Sequence, residues 1–434
     1  MAIQSGAILT DANGFVLDRL QSAGPGSLNM TETKIKELGN WNSLATVRDT
    51  PDLTWEAESF DVTSELEAVL LGKPGAAYPG TAAGGGEVSG VVGLNEIDFK
   101  DSIPIDIISP FKSDRNKYTI FKGLVVPYLT MERFSWRAGV GQNVSKNFTM
   151  RGDTIIYTQG QPYHYEDNFT GGSVSTYTLP RTGVKYVEGA NDLYAYSAMV
   201  WNTTTGAYRR LFFDATESTA GTGYWNTDAV TVKVGGSSEL SGYNRIRFTY
   251  ASTTGVDYTQ TGNNPSGNKV HETASSKPAA VRGYNVDVFV GTTAATPTFT
   301  KLSSVQTAEF NWSVSPEKDE ELGNPRAVAQ EYDTPEVSGT LGVKPFDTAD
   351  LWAKLAMITG VDPSESIGPN SSVPVPLEVQ VRHDNGTVLQ TVYVPDARFT
   401  PPGINAQVEQ KLEVDFTFNS DGGELFVYNG KRRP

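Results

Sequence analysis

The chain has 434 residues, no cysteine and a formal net charge of −15 at pH 7. This length favours two or three domains, and the missing cysteines exclude disulfides, thiolate metal sites and cysteine nucleophiles. The acidic balance argues against a domain that grips nucleic acid, which normally carries a basic patch. The 43 glycines and 24 prolines, together with many Thr, Tyr and Val, are typical of short strands joined by turns.

Neither a signal peptide nor a membrane span is predicted. Residues 1–14 contain no basic region and no apolar stretch. No apolar run approaches the roughly 18 residues that a membrane-spanning helix needs. We therefore expect a chain that is made and used in a soluble state, with no membrane partner.

The first predicted elements are a strand and a helix. Apolar and polar side chains alternate over residues 53–58, which indicates a strand buried on one face. A short helix is predicted at 61–71, where a serine and a glutamate have capping-box spacing. The stretch 72–90 is rich in Gly, Ala and Pro and is predicted to be a flexible connection.

The middle of the chain also predicts strands. Residues 194–201 and 207–213 flank a turn-rich stretch and indicate a hairpin. Alternation predicts further strands at 230–234 and 245–250. The polar, turn-rich stretch 252–278 is predicted to be a long loop or linker.

The last part of the chain repeats the pattern of the first. A strand is predicted at 337–343, and a helix at 347–357 follows it. A long strand is predicted at 411–418, where apolar and polar side chains alternate without a break. Each end of the chain therefore predicts a strand-rich unit with one helix.

An internal repeat accounts for this similarity. Residues 37–51 recur as 321–335, with Glu-Leu-Gly-Asn at the start and Asp-Thr-Pro at the end of both segments. The segment 103–107 is similarly matched with 375–379, 272 residues later, and Phe148-Thr149 with Phe416-Thr417, 268 residues later. The falling offset indicates extra loop residues in the first copy. We predict a first copy at 1–157, an inserted β domain with its linker at 158–283, and a second copy at 284–434.

Candidate catalytic groups are few. The three histidines, His164, His271 and His383, are far apart and have no metal-ligand spacing. Paired carboxylates such as Glu56 with Glu58 could suggest a glycosidase, but this spacing is usual on any solvated strand face. Phosphate-binding and dinucleotide-binding loops are absent from the sequence. We expect no enzyme activity, no cofactor and no metal site.

The repeated segments resemble the tail-tube proteins of long-tailed bacteriophages and archaeal tailed viruses. Glu-Leu-Gly-Asn, then Asp-Thr-Pro, a strand and a short helix carry the resemblance, and residues 333–341 are most similar to the family. The resemblance covers both copies and leaves out the middle segment. It implies a mainly β fold, with two tandem tail-tube β-sandwich domains, each with one short flanking α-helix, separated by the inserted β domain.

The same resemblance implies a structural virion protein. Members of that family form stacked rings of a viral tail tube, a conduit for genome delivery. With two copies per chain, a homotrimer would form a pseudo-hexameric ring. The implied partners are other copies of this chain, the tape-measure and tail-end proteins of the virion, and DNA in transient, non-specific passage. The implied location is the virion tail, with assembly in the host cytoplasm.

Alternation predicts which side chains line the channel of such a tube. Apolar residues of the inner strands face the core, so the polar residues between them face away. The candidates for the lumen face are Glu56, Glu58, Ser145, Asn147, Glu413, Asp415 and Thr417. We expect a negative or neutral face without a row of Lys or Arg, although such a face could equally meet outside solvent.

Two further expectations and two alternatives follow. The middle segment is expected to project outward, and the loops 73–101 and 359–373 are expected to order only when rings stack. The alternative function is a non-enzymatic surface module, either a capsid decoration or a carbohydrate-binding protein. A glycosidase using Glu413 is the third possibility.

Overall fold

The computed structural model describes most of the chain. The described residues are 20–29, 32–36, 43–48, 52–60, 62, 91–93, 105–114, 117–159, 161–170, 175–179, 182–188, 191–202, 208–213, 224–227, 231–235, 240–252, 281–293, 297–319, 329–362, 364–368, 372–402 and 412–432.

The mainly β fold is confirmed. The first copy contains β1 (Leu20–Asn29), β2 (Glu32–Lys36), β3 (Ser43–Arg48), β4 (Asp52–Ser59), β5 (Val91–Gly93), β6 (Ile105–Asp114), β7 (Lys117–Gly139), β8 (Ser145–Gly152) and β9 (Ile156–Thr158). The strand predicted at 53–58 is β4, whose alternate residues are buried. The helix predicted at 61–71 lies outside the described residues.

The middle segment folds around its own sheet. Its strands are β10 (Gln161–Asn168), β11 (Ser175–Thr178), β12 (Tyr186–Glu188), β13 (Asn191–Leu193), β14 (Ser197–Trp201), β15 (Tyr208–Phe213), β16 (Tyr224–Thr227), β17 (Thr231–Val234) and β18 (Arg245–Ser252). Seven of them form one sheet in the order β10-β18-β14-β15-β16-β17-β11. The predicted hairpin is confirmed as β14 and β15, with Trp201 opposite Tyr208. We call residues 161–252 the insert.

The second copy contains the one helix among the described residues that is longer than a single turn. Its elements are a 3₁₀ turn (Gly283–Asn285), β19 (Val286–Gly291), β20 (Phe299–Lys301), β21 (Val305–Ser313), β22 (Pro316–Asp319), β23 (Ala329–Tyr332), β24 (Glu336–Val343), α1 (Thr348–Thr359), β25 (Val375–Arg382), β26 (Val388–Phe399), β27 (Val414–Ser420) and β28 (Phe426–Asn429). The helix predicted at 347–357 is confirmed as α1. It begins after Asp347, whose carboxylate accepts a hydrogen bond from the Asp350 amide at 2.7 Å, and it ends at Gly360 with φ 67°.

The two copies share one strand order. Hydrogen bonding runs β1-β4-β8-β7-β6 in the first copy and β21-β24-β27-β26-β25 in the second. A register shift lies between Leu20 and Ser22 on β1, and another lies at the corresponding place between Val305 and Thr307 on β21. Shared order and shared irregularities indicate that the repeat in sequence is a repeat of topology.

Equivalent pairs of strands flank the repeated Glu-Leu-Gly-Asn segments in the two copies. The ends of the β2–β3 hairpin are Glu32 and Arg48, which are paired. The ends of the β22–β23 hairpin are Pro316 and Tyr332, each 284 residues later and paired in the same way. The hairpin tips lie outside the described residues.

One sequence alignment was wrong by two residues. Ile105 pairs with Leu129 on β7, and Val375 pairs with Ala397 on β26. Because Leu129 and Ala397 hold corresponding places, Val375 is the counterpart of Ile105 and not of Ile103. A shift of two residues keeps every side chain on the same face of a strand, so alternation could not reveal it.

The two copies fill one continuous core with different side chains. Trp55 is fully buried on β4, whereas the corresponding position on β24 is Gly339. The space beside Gly339 is occupied by Phe418, whose ring lies 5.6 Å from that of Phe310. A Cβ at position 339 would lie 2.3 Å from the Glu309 carbonyl oxygen and 2.4 Å from the Phe418 ring.

We predict that Gly339→Ala destabilises the fold by about 1–3 kcal/mol, because overpacking forces backbone and ring to move. The measurement is the urea midpoint of unfolding. Gly24→Ala is the matched control, since a Cβ at Gly24 meets no atom within 4 Å. Equal midpoints for the two variants would contradict this account of the core.

Candidate assembly interface

The two copies meet by direct strand pairing. Residues 133–139 of β7 pair antiparallel with residues 307–313 of β21. The Val140 amide donates to the Gln306 carbonyl and the Val314 amide donates to the Glu132 carbonyl, both at 2.9 Å. We call this contact the seam. The resulting sheet continues through β26 to β20, and we call its part β1-β4-β8-β7-β21-β24-β27 the joined sheet.

One face of the joined sheet is apolar, and aromatic side chains on this face pack against each other across the seam. Trp136 of the first copy lies 5.6 Å, ring to ring, from Phe310 of the second copy. The Trp136 indole also donates to the Gln390 side chain on β26, at 3.3 Å. The seam is therefore stabilised by buried aromatic surface as well as by backbone hydrogen bonds.

The opposite face of the joined sheet is polar, and all seven candidate lumen residues lie on it. Exposed residues of this set are Glu56, Asn147, Glu413, Asp415 and Thr417, and half-buried ones are Glu58 and Ser145. The structure brings Glu58 opposite Asn147 on adjacent strands. It does not bring all seven together, because β8 and β27 are four strands apart, which is about 19 Å. We call this surface the polar face.

The expectation of a face without a row of basic residues is wrong. Arg133 and Arg137 are exposed on the polar face of β7, where they alternate with buried Phe134 and Trp136. Arg137 stands opposite Glu309 across the seam. The alternation that predicted the acidic residues was equally visible at 133–138, so the sequence did contain the signal for these arginines.

The charges differ between the two copies. Arg151 at the end of β8 forms an ion pair with Asp52, with 3.2 Å between the guanidinium Nε and the carboxylate. Its counterpart on β27 is Asn419, and the counterpart of Arg133 is Pro401. Conversely, the second copy has Glu413 and Asp415 where the first copy has the uncharged Ser145 and Asn147. The polar face thus has two exposed arginines beside the seam. Over β27 it has Asp415 and Glu413, which pairs with Lys344 at 3.4 Å. On the neighbouring β26, Arg398 is exposed on the same face and pairs with Asp421 at 2.9 Å.

The insert covers the other side of the first copy. β6, β9 and the first half of β7 form an outer sheet behind the joined sheet. Val125 and Ile156 of that outer sheet pack against Tyr196 and Ala251 of the insert. The insert and the polar face therefore lie on opposite sides of the first copy.

A buried ion pair fixes the insert in place. The Arg210 guanidinium of the insert pairs with the Asp153 carboxylate, and these side chains are only 6 % and 5 % exposed. The same guanidinium lies 4.0 Å above the ring of Tyr128 on β7. The Tyr196 hydroxyl of the insert donates to the hydroxyl of Thr158, the last residue of β9, at 2.8 Å.

The two loops expected to order only on stacking are already paired in part. Residues 91–93, within the loop 73–101, form β5 and pair with β28 of the second copy. In the loop 359–373, the Val373 amide donates to the Thr359 carbonyl at 3.0 Å. For these described residues the expectation is wrong, because their partners belong to the same chain.

Arg432 is anchored to the second copy. Arg432 bonds to the fully buried carboxylate of Glu378 at 3.1 Å and lies 3.8 Å above the ring of Tyr393. Burial raises the pKa of Tyr393. Arg432 therefore compensates a buried charge, which is a structural role.

Groups suited to metal chemistry are absent from the described ranges. Within them, no three His, Asp or Glu side chains are grouped as a metal ion would need. The ring Nδ1 of His383 accepts a hydrogen bond from the Asn385 amide at 3.3 Å. None of the helices in the described part of the chain is both long and apolar enough to cross a membrane.

Comparisons with known proteins give distant structural likenesses. No family model and no curated protein matches the chain. A chain of the anti-feeding prophage baseplate, from a sixfold-symmetrised cryo-EM structure, has a TM-score of 0.27 and 10% identity, covering 36% of this chain and 97% of that chain. The SPP1 Dit protein, described as a hub adsorption apparatus of phages that infect Gram-positive bacteria, has a TM-score of 0.20 and 10% identity, covering 56% and 98%.

We predict that Arg210→Met loosens the insert from the first copy, because Asp153 is left as a buried, unpaired charge at a cost of about 3–5 kcal/mol. The measurement is hydrogen exchange at residues 123–128 and 156–158. The double variant Arg210→Met with Asp153→Leu should restore most of the protection, since replacing both charges removes the unpaired one. Unchanged exchange in the single variant would contradict the role given to the pair.

Proposed function

We propose that the chain is a structural subunit of a viral tail tube, in which three chains form a pseudo-hexameric ring. The seam carries this proposal. The first copy offers a strand edge at β7, and the second copy accepts it on β21, its first strand. Two copies of one topology that meet edge to edge have the relation of neighbours in a ring.

The ends of the joined sheet fit the same scheme. β1 is the counterpart of β21, and it forms one end of the joined sheet as far as the described residues show. A strand edge of ten residues is a template for another strand. The counterpart of residues 133–139 begins at Pro401, directly after β26. If this stretch of a neighbouring chain pairs with β1 as residues 133–139 of β7 pair with β21, the sheet continues from chain to chain and closes after three chains.

The position of the insert supports the choice of the lumen face. The insert stands on the outer sheet, so the polar face is the side left free to line a channel. Its carboxylates, among them Glu56, Glu413 and Asp415, would repel DNA phosphates and let a genome slide. We assign Glu56, Glu58, Ser145, Asn147, Glu413, Asp415 and Thr417 to the lumen.

The remaining roles follow from the tube. The chain acts without a cofactor and without enzyme activity, in the virion tail, after assembly in the host cytoplasm. Its partners are other copies of itself, the tape-measure and tail-end proteins, and DNA in passage. Neither a capsid decoration nor a carbohydrate-binding module requires its two copies to share one sheet, whereas a ring does. We therefore prefer the tube to these two alternative functions.

We predict that Asn29→Cys with Pro401→Cys links neighbouring chains. Asn29 corresponds to Ser313 and Pro401 to Arg133, which are paired across the seam. Paired strand residues lie about 4.5–5.5 Å apart between Cα atoms, within disulfide reach. Because the chain has no other cysteine, oxidation should give covalent dimers and trimers on a non-reducing gel.

The matched control for this experiment is Arg133→Cys with Ser313→Cys, which should close a disulfide within one chain and leave its mass unchanged. Negative-stain images of the unmodified protein should show rings and tubes. Six chains per ring, or linked species in the control alone, would count against the trimeric ring.

We predict that assembly hides position 413 from large reagents. A polyethylene-glycol maleimide too large to enter the tube should label Glu413→Cys in the monomer and fail to label it in tubes. Tyr157→Cys, at a position 72% exposed on β9, should react in both states. Equal labelling of both variants in tubes would remove the polar face from the lumen.

A further inference from the structure

We propose that Arg133 and Arg137 are contact points for the phosphate backbone of DNA, so that the lumen guides its cargo as well as repelling it. This inference rests on the proposed function, which makes the polar face the wall of the channel. It adds a binding role that acidic repulsion alone does not supply.

The placement of the two arginines suits such contacts. Both are exposed on the polar face of β7, four residues apart, which separates them by about 13 Å along the strand. Arg133 stands between Thr149 and Ser313, so neither strand neighbour opposite it is a carboxylate. Its guanidinium is therefore available to an anion, and a guanidinium fork matches phosphate geometry.

Nearby carboxylates keep the contact between these arginines and DNA phosphates weak. Arg137 has Glu309 opposite it on β21. Glu56 and Glu336 lie level with Arg133 but two strands away on either side, about 10 Å, which is near the screening length at physiological salt. A cation with acids at this distance attracts a passing phosphate without holding it, as a conduit requires.

The arginines are confined to the first copy. The position of Arg133 is occupied by Pro401 in the second copy, where Glu413 and Asp415 lie on the polar face instead. In a ring of three chains, this pair of arginines would therefore recur three times around the channel, with stretches that carry Glu413 and Asp415 between them. Weak attraction at three equally spaced places would keep a DNA duplex centred.

The test is the salt dependence of DNA binding by assembled tubes of the full chain. A labelled short DNA duplex is co-sedimented with tubes at a series of salt concentrations. The slope of the logarithm of the binding constant against the logarithm of the salt concentration is then measured. Arg133→Gln with Arg137→Gln should reduce the slope by about 0.9 for each phosphate that the arginines no longer neutralise. Arg133→Lys with Arg137→Lys should restore most of the slope, because the charge returns.

The control is Arg245→Gln, which removes a cation from the insert and should leave the slope unchanged. Tubes whose slope is the same for the unmodified protein and the glutamine variant would overturn this inference and leave the proposed function intact. Failure of the unmodified chain to form rings or tubes on the same grids would overturn both.

Discussion

The pairing of β7 with β21 is the contact on which the rest of the structure depends. It makes one sheet of two copies, so the twist and register of each copy constrain the other. Trp136 and Phe310 bury the seam on the core side and leave only polar side chains in front of it. A strand edge that would otherwise invite aggregation is thereby used within the chain.

Once the backbone is fixed by that pairing, the two copies can differ in side chains. Gly339 replaces Trp55, and the core is refilled by Phe418 from the neighbouring strand. On the polar face, Glu413 replaces Ser145 with no change in pairing. A side chain lost from the core at one position must be replaced from a neighbouring one, whereas charge on the polar face is free to vary. This freedom explains why the polar face has Arg133 in one copy and Glu413 in the other.

The sequence predicted the secondary-structure elements better than the contacts between them. Alternation identified β4, β24 and β27, and the helix signals placed α1, because these patterns are local. The seam and the contact of Asp153 with Arg210 join residues far apart in sequence, and no local pattern reports them. Alternation placed all seven candidate lumen residues on one face of the sheet, but it could not give the distance between β8 and β27.

The strand β7 runs from beneath the insert to the seam. The first half of β7 pairs with β6 and β9 beneath the insert, and the second half pairs with β8 and β21. Between the halves, Tyr128 adopts a positive φ of 58°, and a register shift lies between Met131 and Arg133. Such irregularities bend a strand and re-aim its side chains. Tyr128 also touches Arg210 of the insert, so the contact with the insert lies at this bend, five residues before Arg133 of the polar face.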